Sequence, residues 1–307
     1  MSNKASITVF GAANVDITGY AKAPLVYKDA NIGQMQTTAG GVGRNIAENL
    51  TYLEFPVELI SVFGDDPLSR FLMDDCNNKG LNINRSLFQK NQTAATFLAI
   101  LDHQNDLALG ISAMSLYDDL DPDVFTKHLP KQLPSTYTVL ETNFKEDILK
   151  AITRKYPDQK FVLDTVSGAK ALRCKRILDR LYILKTNLLE AEMMSGLSVQ
   201  SPDDLNKLVQ YFLDKGVQKV FITLGSQGVI YGDSQTIDQK PPIPAKVVNT
   251  IGAGDAFVSG LVYADSLHKS IDEMASYGMA AAALTVSHHQ AVNTNLNPTL
   301  LENKLHE

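Results

Sequence analysis

The sequence predicts an α/β fold, a mostly parallel sheet covered by helices with a small antiparallel sheet standing off it. Short apolar runs of strand length recur along the chain, amphipathic helical patterns separate most of them, and two stretches carry strand patterns without a helix of their own.

In chain order, the apolar runs fall at Ile7–Phe10, 57–63, 138–140, 161–163, 182–184 and 217–224. Each has the length of a buried strand. Val42, Ile46, Leu50 and Leu53 recur with the helical period, as do the apolar positions of 205–213, where Ser201-Pro202-Asp203-Asp204 supplies a helix start and Gly216 a stop. Strands alternating with helices imply ligand binding at the carboxyl ends of the strands. The exceptions are 14–38 and 93–112; in the second, FLAILD and LALGIS flank the polar turn His103-Gln104-Asn105-Asp106 as a hairpin would. These stretches are expected to form a lid. At 307 residues the chain suits a single domain, 1–307, that contributes its own lid strands.

Composition narrows the function. Hydrophobic residues make up 44% and charged residues 20%, which excludes disordered, collagen-like and disulfide-stapled classes. A formal charge of −6 offers no field for nucleic acid or anionic lipid, so a small molecule is the expected partner. The two cysteines, Cys76 and Cys174, have no ligand or disulfide spacing. No apolar run is long enough to span a membrane, and MSNKASITVF lacks the apolar core of a signal peptide, so a cytoplasmic location is expected.

The segment Val248-Asn249-Thr250-Ile251-Gly252-Ala253-Gly254-Asp255 turns into a small-residue helix. Gly252, Ala253 and Gly254 can present backbone N–H groups at a helix N-terminus, a site for phosphate. Asp255 there is either ordinary N-terminal helix charge or a base that receives a hydroxyl proton. A second cluster, Gly40-Gly41-Val42-Gly43-Arg44-Asn45, opens the first helix; Asn45 offers donor and acceptor to hydroxyls, which suits a sugar, while a plain helix-start turn is the alternative. The spacing is not that of a dinucleotide fingerprint, which discourages an oxidoreductase. Asn14 and Asp16 share one face of an extended segment, fit either to clamp a diol or to make a turn. Asn187 and Glu190, three apart after Lys185, can order the waters of a magnesium ion or simply cap a helix. Thr223, Gly225 and Gly228 form one more strand-to-turn element.

In this order and at these separations, the elements resemble the ribokinase-like (PfkB) family of carbohydrate and nucleoside kinases across essentially the whole chain. The resemblance implies a ribokinase-like three-layer sandwich, ATP and Mg²⁺ as cofactors, and phosphorylation of an alcohol. It implies Asp255 as the catalytic base with Gly252, Ala253 and Gly254 as the anion hole, and Asn14, Asp16, Gly41 and Asn45 around the sugar. It further implies Lys185 near the phosphates, Asn187 and Glu190 associated with Mg²⁺ through water, and Thr223, Gly225 and Gly228 on the nucleotide, with adenine walled by 281–293, including Ala282 and Ser287. One departure stands out: Asn249 occupies the place of an aspartate that in many members helps hold a monovalent cation, so K⁺ is an open requirement.

GAANVDITGY, GGVGRNIAENL, LETNF, LDTVSGAK and HHQAVNTNL are most similar to the pseudouridine-phosphorylating branch. That similarity implies transfer from ATP to the 5′-hydroxyl of pseudouridine; Glu141 and Asn143, ending a strand before a helix, are placed for a substrate contact and the lid residue Thr96 for the base, though residues of each kind are more often caps or surface groups. Kinases of ribose, adenosine, or inosine and guanosine are the nearest alternatives, and a non-catalytic nucleoside sensor a remote one. Family members often pair through the lid, so a homodimer is an expectation. His288 and His289 read as helix-end residues, and Asp118, Asp119, Asp121 and Asp123 as a capping turn.

Overall fold

The structure, a computed structural model, describes residues 5–306. Its eight-stranded sheet runs Ile237–Lys240, Val229–Gly232, Lys219–Thr223, Leu181–Asn187, Lys160–Asp164, Tyr137–Glu141, Ile7–Phe10, Val57–Ile60. Every pairing from Lys219–Thr223 to Val57–Ile60 is parallel, and the two at the far edge are antiparallel. The apolar runs read as continuous because both faces are covered.

Strand alternation sorts those runs into two cores. Val9, Val139, Val162, Ile183 and Phe221 pack with the helices Val42–Tyr52, Ala253–Ser266 and Ile271–Val286. Phe10, Leu140, Leu163, Leu184 and Ile222 pack on the other side with Glu146–Lys155 and Pro202–Asp214. The result is the expected ribokinase-like three-layer sandwich. After Ile7–Phe10 the chain adds Val57–Ile60 on one side and all later strands on the other, so the topological switch lies beside Ile7–Phe10, where α/β sheets open a crevice.

Local signals hold where expected: Ser201 and Asp204 form a reciprocal cap on Pro202–Asp214, and Gly216 follows with φ 97°. The expected run 57–63 divides at Ser61, whose backbone N–H leaves the ladder for Ser86 Oγ (3.0 Å), and Val62–Phe63 then pairs with Leu87–Phe88. Asp121 caps Pro122–His128 by accepting from Asp123 N and Val124 N. No helix among the described residues is long and apolar enough to cross a membrane.

The small sheet has the order Gly33–Gly40, Asn14–Ala21, Thr96–Leu101, Leu107–Ala113. Its outer pairs are antiparallel as expected; the central pair runs parallel, because both inner strands leave the main body together, tied at their start by Val15 N–H to Ala95 O (2.9 Å).

The far end of the helix Ala253–Ser266 is pinned under the sheet. Buried Asp265 accepts from Tyr137 Oη and Tyr182 Oη, each at 2.7 Å, and pairs with Lys219.

Candidate active site

The parallel register sets three ionisable side chains side by side. Glu141 and Asp164 end their strands and Lys185, two residues before the end of the next, lies in register with them, on the face covered by Ala253–Ser266. Lys185 Nζ pairs with Asp164 Oδ2 at 2.8 Å, both groups buried. Burial alone would push the ammonium's proton affinity down; the Asp164 carboxylate reverses this and holds it above the usual lysine value. The other Asp164 oxygen accepts the N–H of Val166 at 2.8 Å, and Val166 is left-handed at φ 59°, a strained conformation for a β-branched residue that this bond helps to hold.

Opposite this row, Gly252 starts the helix at φ 82°, and a Cβ there would meet Ala291 O at 1.9 Å, so only glycine makes the turn. Gly254 lies against the ammonium, since a Cβ on it would stand 2.6 Å from Lys185 Nζ. Asp255 follows, buried in the first turn, with Oδ2 accepting from Asn45 Nδ2 at 2.8 Å. Burial first, and the nearby Asp164 carboxylate second, push its carboxyl up to about 7, although Asn45 and Lys185 pull the other way.

Asn45 reaches Asp255 because the first helix starts at the switch point. Gly11 and Gly43 touch backbone to backbone: a Cβ on Gly11 would lie 2.6 Å from Gly43 Cα. Gly41, at φ 104°, presses on Ala12 O. Asn14 donates to Asp16 Oδ1 at 2.6 Å, so the two expected clamp residues meet on one face, and burial raises the Asp16 carboxyl above its ordinary value against the opposing pull of Asn14 and Arg44.

Glu141 spends both oxygens on protein donors, Ala12 N–H at 2.5 Å and the Asn143 N–H and Nδ2 at 2.8 and 2.6 Å. Burial lifts its carboxyl to about 7. Asn143 Oδ1 accepts from Lys170 Nζ at 2.5 Å. Thr96 opens its lid strand beside Val15, with its hydroxyl turned back to Ala94 O at 3.1 Å.

Asn187 and Glu190 form a capping box on the helix Leu188–Ser195: Glu190 N–H donates to Asn187 Oδ1 at 2.9 Å, and Asn187 N–H and Nδ2 donate to Glu190 at 3.1 and 2.7 Å. Thr165 Oγ1 also donates to Glu190. No group of three or more His, Cys, Asp or Glu that could hold a metal ion occurs among the described residues. The oxygen donors of Asn187 and Glu190 fit a hard cation such as Mg²⁺ approached through its waters.

Thr223 pairs in register with Asn187, and Gly225 and Gly228 follow at φ 60° and 92°. Ala282 is half-buried in Ile271–Val286, and exposed Ser287 ends that helix. Val286 O accepts Val248 N–H and Asn249 N–H, which joins the helix end to the anion turn. Asn249 donates to His289 O at 3.1 Å and accepts from Ile251 N–H at 3.0 Å.

Sequence reasoning missed Asp164 and Arg44 as site residues. Asp164 lay inside LDTVSGAK, a stretch read for its similarity as a whole, and Arg44 lay inside a motif read for its glycines and Asn45.

A family model described as pfkB family carbohydrate kinase matches residues 4–299. Pseudouridine kinase from Escherichia coli (strain K12) is 30% identical over 262 residues, covering 85% of this chain and 84% of that protein. Guanosine-inosine kinase from Exiguobacterium acetylicum is 26% identical over 301 residues, covering 96% and 98%. The structure of Arabidopsis thaliana ribokinase complexed with ribose and ATP superposes with a TM-score of 0.83 at 21% identity, covering 98% of this chain and 99% of that one. With the model matched over nearly its whole length, this chain belongs to the pfkB family of carbohydrate kinases.

Proposed function

We propose that this kinase transfers the γ-phosphoryl group of ATP to the 5′-hydroxyl of pseudouridine, in the cytoplasm, as one kinase unit with the small sheet as its lid. The observation that carries the chemistry is Asp255: a buried carboxylate at a helix N-terminus, beside a buried ammonium, with its proton affinity raised to about 7. A base with that affinity is matched to a hydroxyl proton near neutral pH.

In this reading the 5′-oxygen bonds to the γ-phosphorus as the bond to the β-bridging oxygen breaks, ADP leaves, and the hydroxyl proton passes to Asp255. The N–H groups of Gly252, Ala253 and Gly254, with Lys185 beside them, receive the charge on the phosphoryl oxygens. Asn14, Asp16, Gly41 and Asn45 align the sugar hydroxyls. Asn143 and Thr96 face the base, with Glu141 holding Asn143 and Ala12 in place. Thr223, Gly225, Gly228, Ala282 and Ser287 receive the nucleotide. Asn187 and Glu190 would hold Mg²⁺ through its waters, and the ion would supply charge neutralisation on the phosphates. Asn249 carries no charge and spends its amide within its own loops, which argues against a strict K⁺ requirement.

The pseudouridine assignment is supported by the 30% relative, and the guanosine-inosine relative makes another nucleoside the second reading. A homodimer is also proposed, through the apolar face that Leu107, Leu109 and Ile111 expose on the lid edge strand.

The test is ADP release with Mg²⁺ and ATP against pseudouridine, uridine, adenosine, inosine and ribose, with and without K⁺. A preference for pseudouridine over uridine is expected, with activity in both salts. Preference for another acceptor overturns the substrate and keeps the kinase, and no turnover with any of the five calls for a wider sugar screen and favours the sensor.

A further inference from the structure

We propose that Arg44 is a positioning residue that sets the orientation of the Asn45 carboxamide and so holds the donor that faces the Asp255 carboxylate. The inference rests on the reading of Asp255 as the base.

The two ends of a carboxamide have nearly the same shape, so its hydrogen-bond partners decide which end faces where. Asp255 needs the nitrogen, because the amide oxygen would meet a carboxylate oxygen. Arg44 imposes that choice. Its guanidinium has donors only, and Nη1 donates to Asn45 Oδ1 at 3.1 Å, leaving Nδ2 to donate to Asp255 Oδ2 at 2.8 Å.

The guanidinium is itself fixed. Nη2 contacts Asp75 at 2.6 Å and Glu48 at 2.8 Å, and Lys79 joins Glu48 at 2.9 Å. Arg44 is 5% exposed, and its backbone N–H donates to Ala12 O at 3.1 Å, at the sheet's switch point. A planar fork can donate to Asn45 and Asp75 while pairing its charge with Glu48, which a lysine ammonium on a flexible stem does poorly. Asp16 also feels this charge, so Arg44 stands between the sugar clamp and the base.

The groups facing Asp255 are Asp164 and Glu141, which raise its proton affinity, and Lys185 and Asn45, which lower it. Loss of the oriented Asn45 donor therefore raises the pH at which Asp255 loses its proton. In Arg44→Lys the acid limb of the kcat/KM profile is expected to move up by about half a pH unit or more, and kcat/KM at pH 7 to fall about twofold or more. In an Asn45→Ala background Arg44→Lys should move the limb no further, because the two act in series. Asp75→Asn, which loosens the guanidinium without removing it, should move the limb the same way and serves if the lysine variant fails to fold.

A purely structural Arg44 would lower the melting temperature and leave the limb in place. If the limb stays put in both Arg44→Lys and Asp75→Asn while Asn45→Ala moves it, or if the shifts add, this inference alone is overturned. A wild-type protein that phosphorylates none of the five acceptors, nor any sugar in a wider panel, overturns the reading of Asp255 and the inference with it.

Discussion

Asp255→Asn should make the protein inactive and, above neutral pH, more stable. The carboxyl is raised from 3.8 to about 7 in the fold, so between those values the folded protein keeps a proton that the unfolded chain has released. Its favourable contribution is complete below about pH 4 and lost as the pH rises through about 7, where a buried charge must form. A rise of that size corresponds to about 4 kcal/mol at about 1.4 kcal/mol per pH unit, of which about 2 kcal/mol survives relaxation and water entry. Asparagine has the same shape, can still accept from Asn45 and never ionises. At pH 8 it should therefore raise the melting temperature by about 4 °C, with only about a third of that gain at pH 5. Turnover should fall by about 10²- to 10⁴-fold with nucleoside binding retained. Paired melts at pH 5 and 8, with steady-state kinetics, make the test. Equal melting differences at the two pH values, or near-normal turnover, would refute the buried-base argument.

Further predictions concern the residues around Asp255. Lys185→Met leaves Asp164 buried without its partner, which should cost about 3 kcal/mol of stability and about 100-fold in turnover. Adding Asp164→Asn should restore most of the melting temperature and not the activity. Gly252→Ala must place a Cβ against Ala291 O in a left-handed turn, so it should destabilise by about 2 kcal/mol or more and abolish turnover, read by melting and ADP release. Asp265→Ala strips the shared acceptor from Tyr137, Tyr182 and Lys219; denaturation should show a loss of about 3 kcal/mol, while kcat at low temperature stays within about threefold.

The glycine turns were legible because they depend on nearby backbone. Gly252 and Gly41 must be glycine to reach φ 82° and 104°, and each announces a turn into a helix. Asn187 and Glu190 show the limit of local reading: six residues could not choose between cap and metal associate, and in the fold their side chains serve the cap. Asp164 was overlooked because an aspartate after a strand is ordinary until its neighbours are known.

The sequence by itself determined the order of strands and helices, the crevice-side location of the site and the glycine turns, since hydrophobic period and backbone freedom are local properties. Tertiary structure decided the chemistry. Register set Glu141, Asp164 and Lys185 in one row from three strands, and helix packing brought Asn45 to Asp255 across 210 residues of sequence. Only then did burial and a neighbouring carboxylate raise Asp255 to about 7, because desolvation and Coulomb forces act through space and not along the chain.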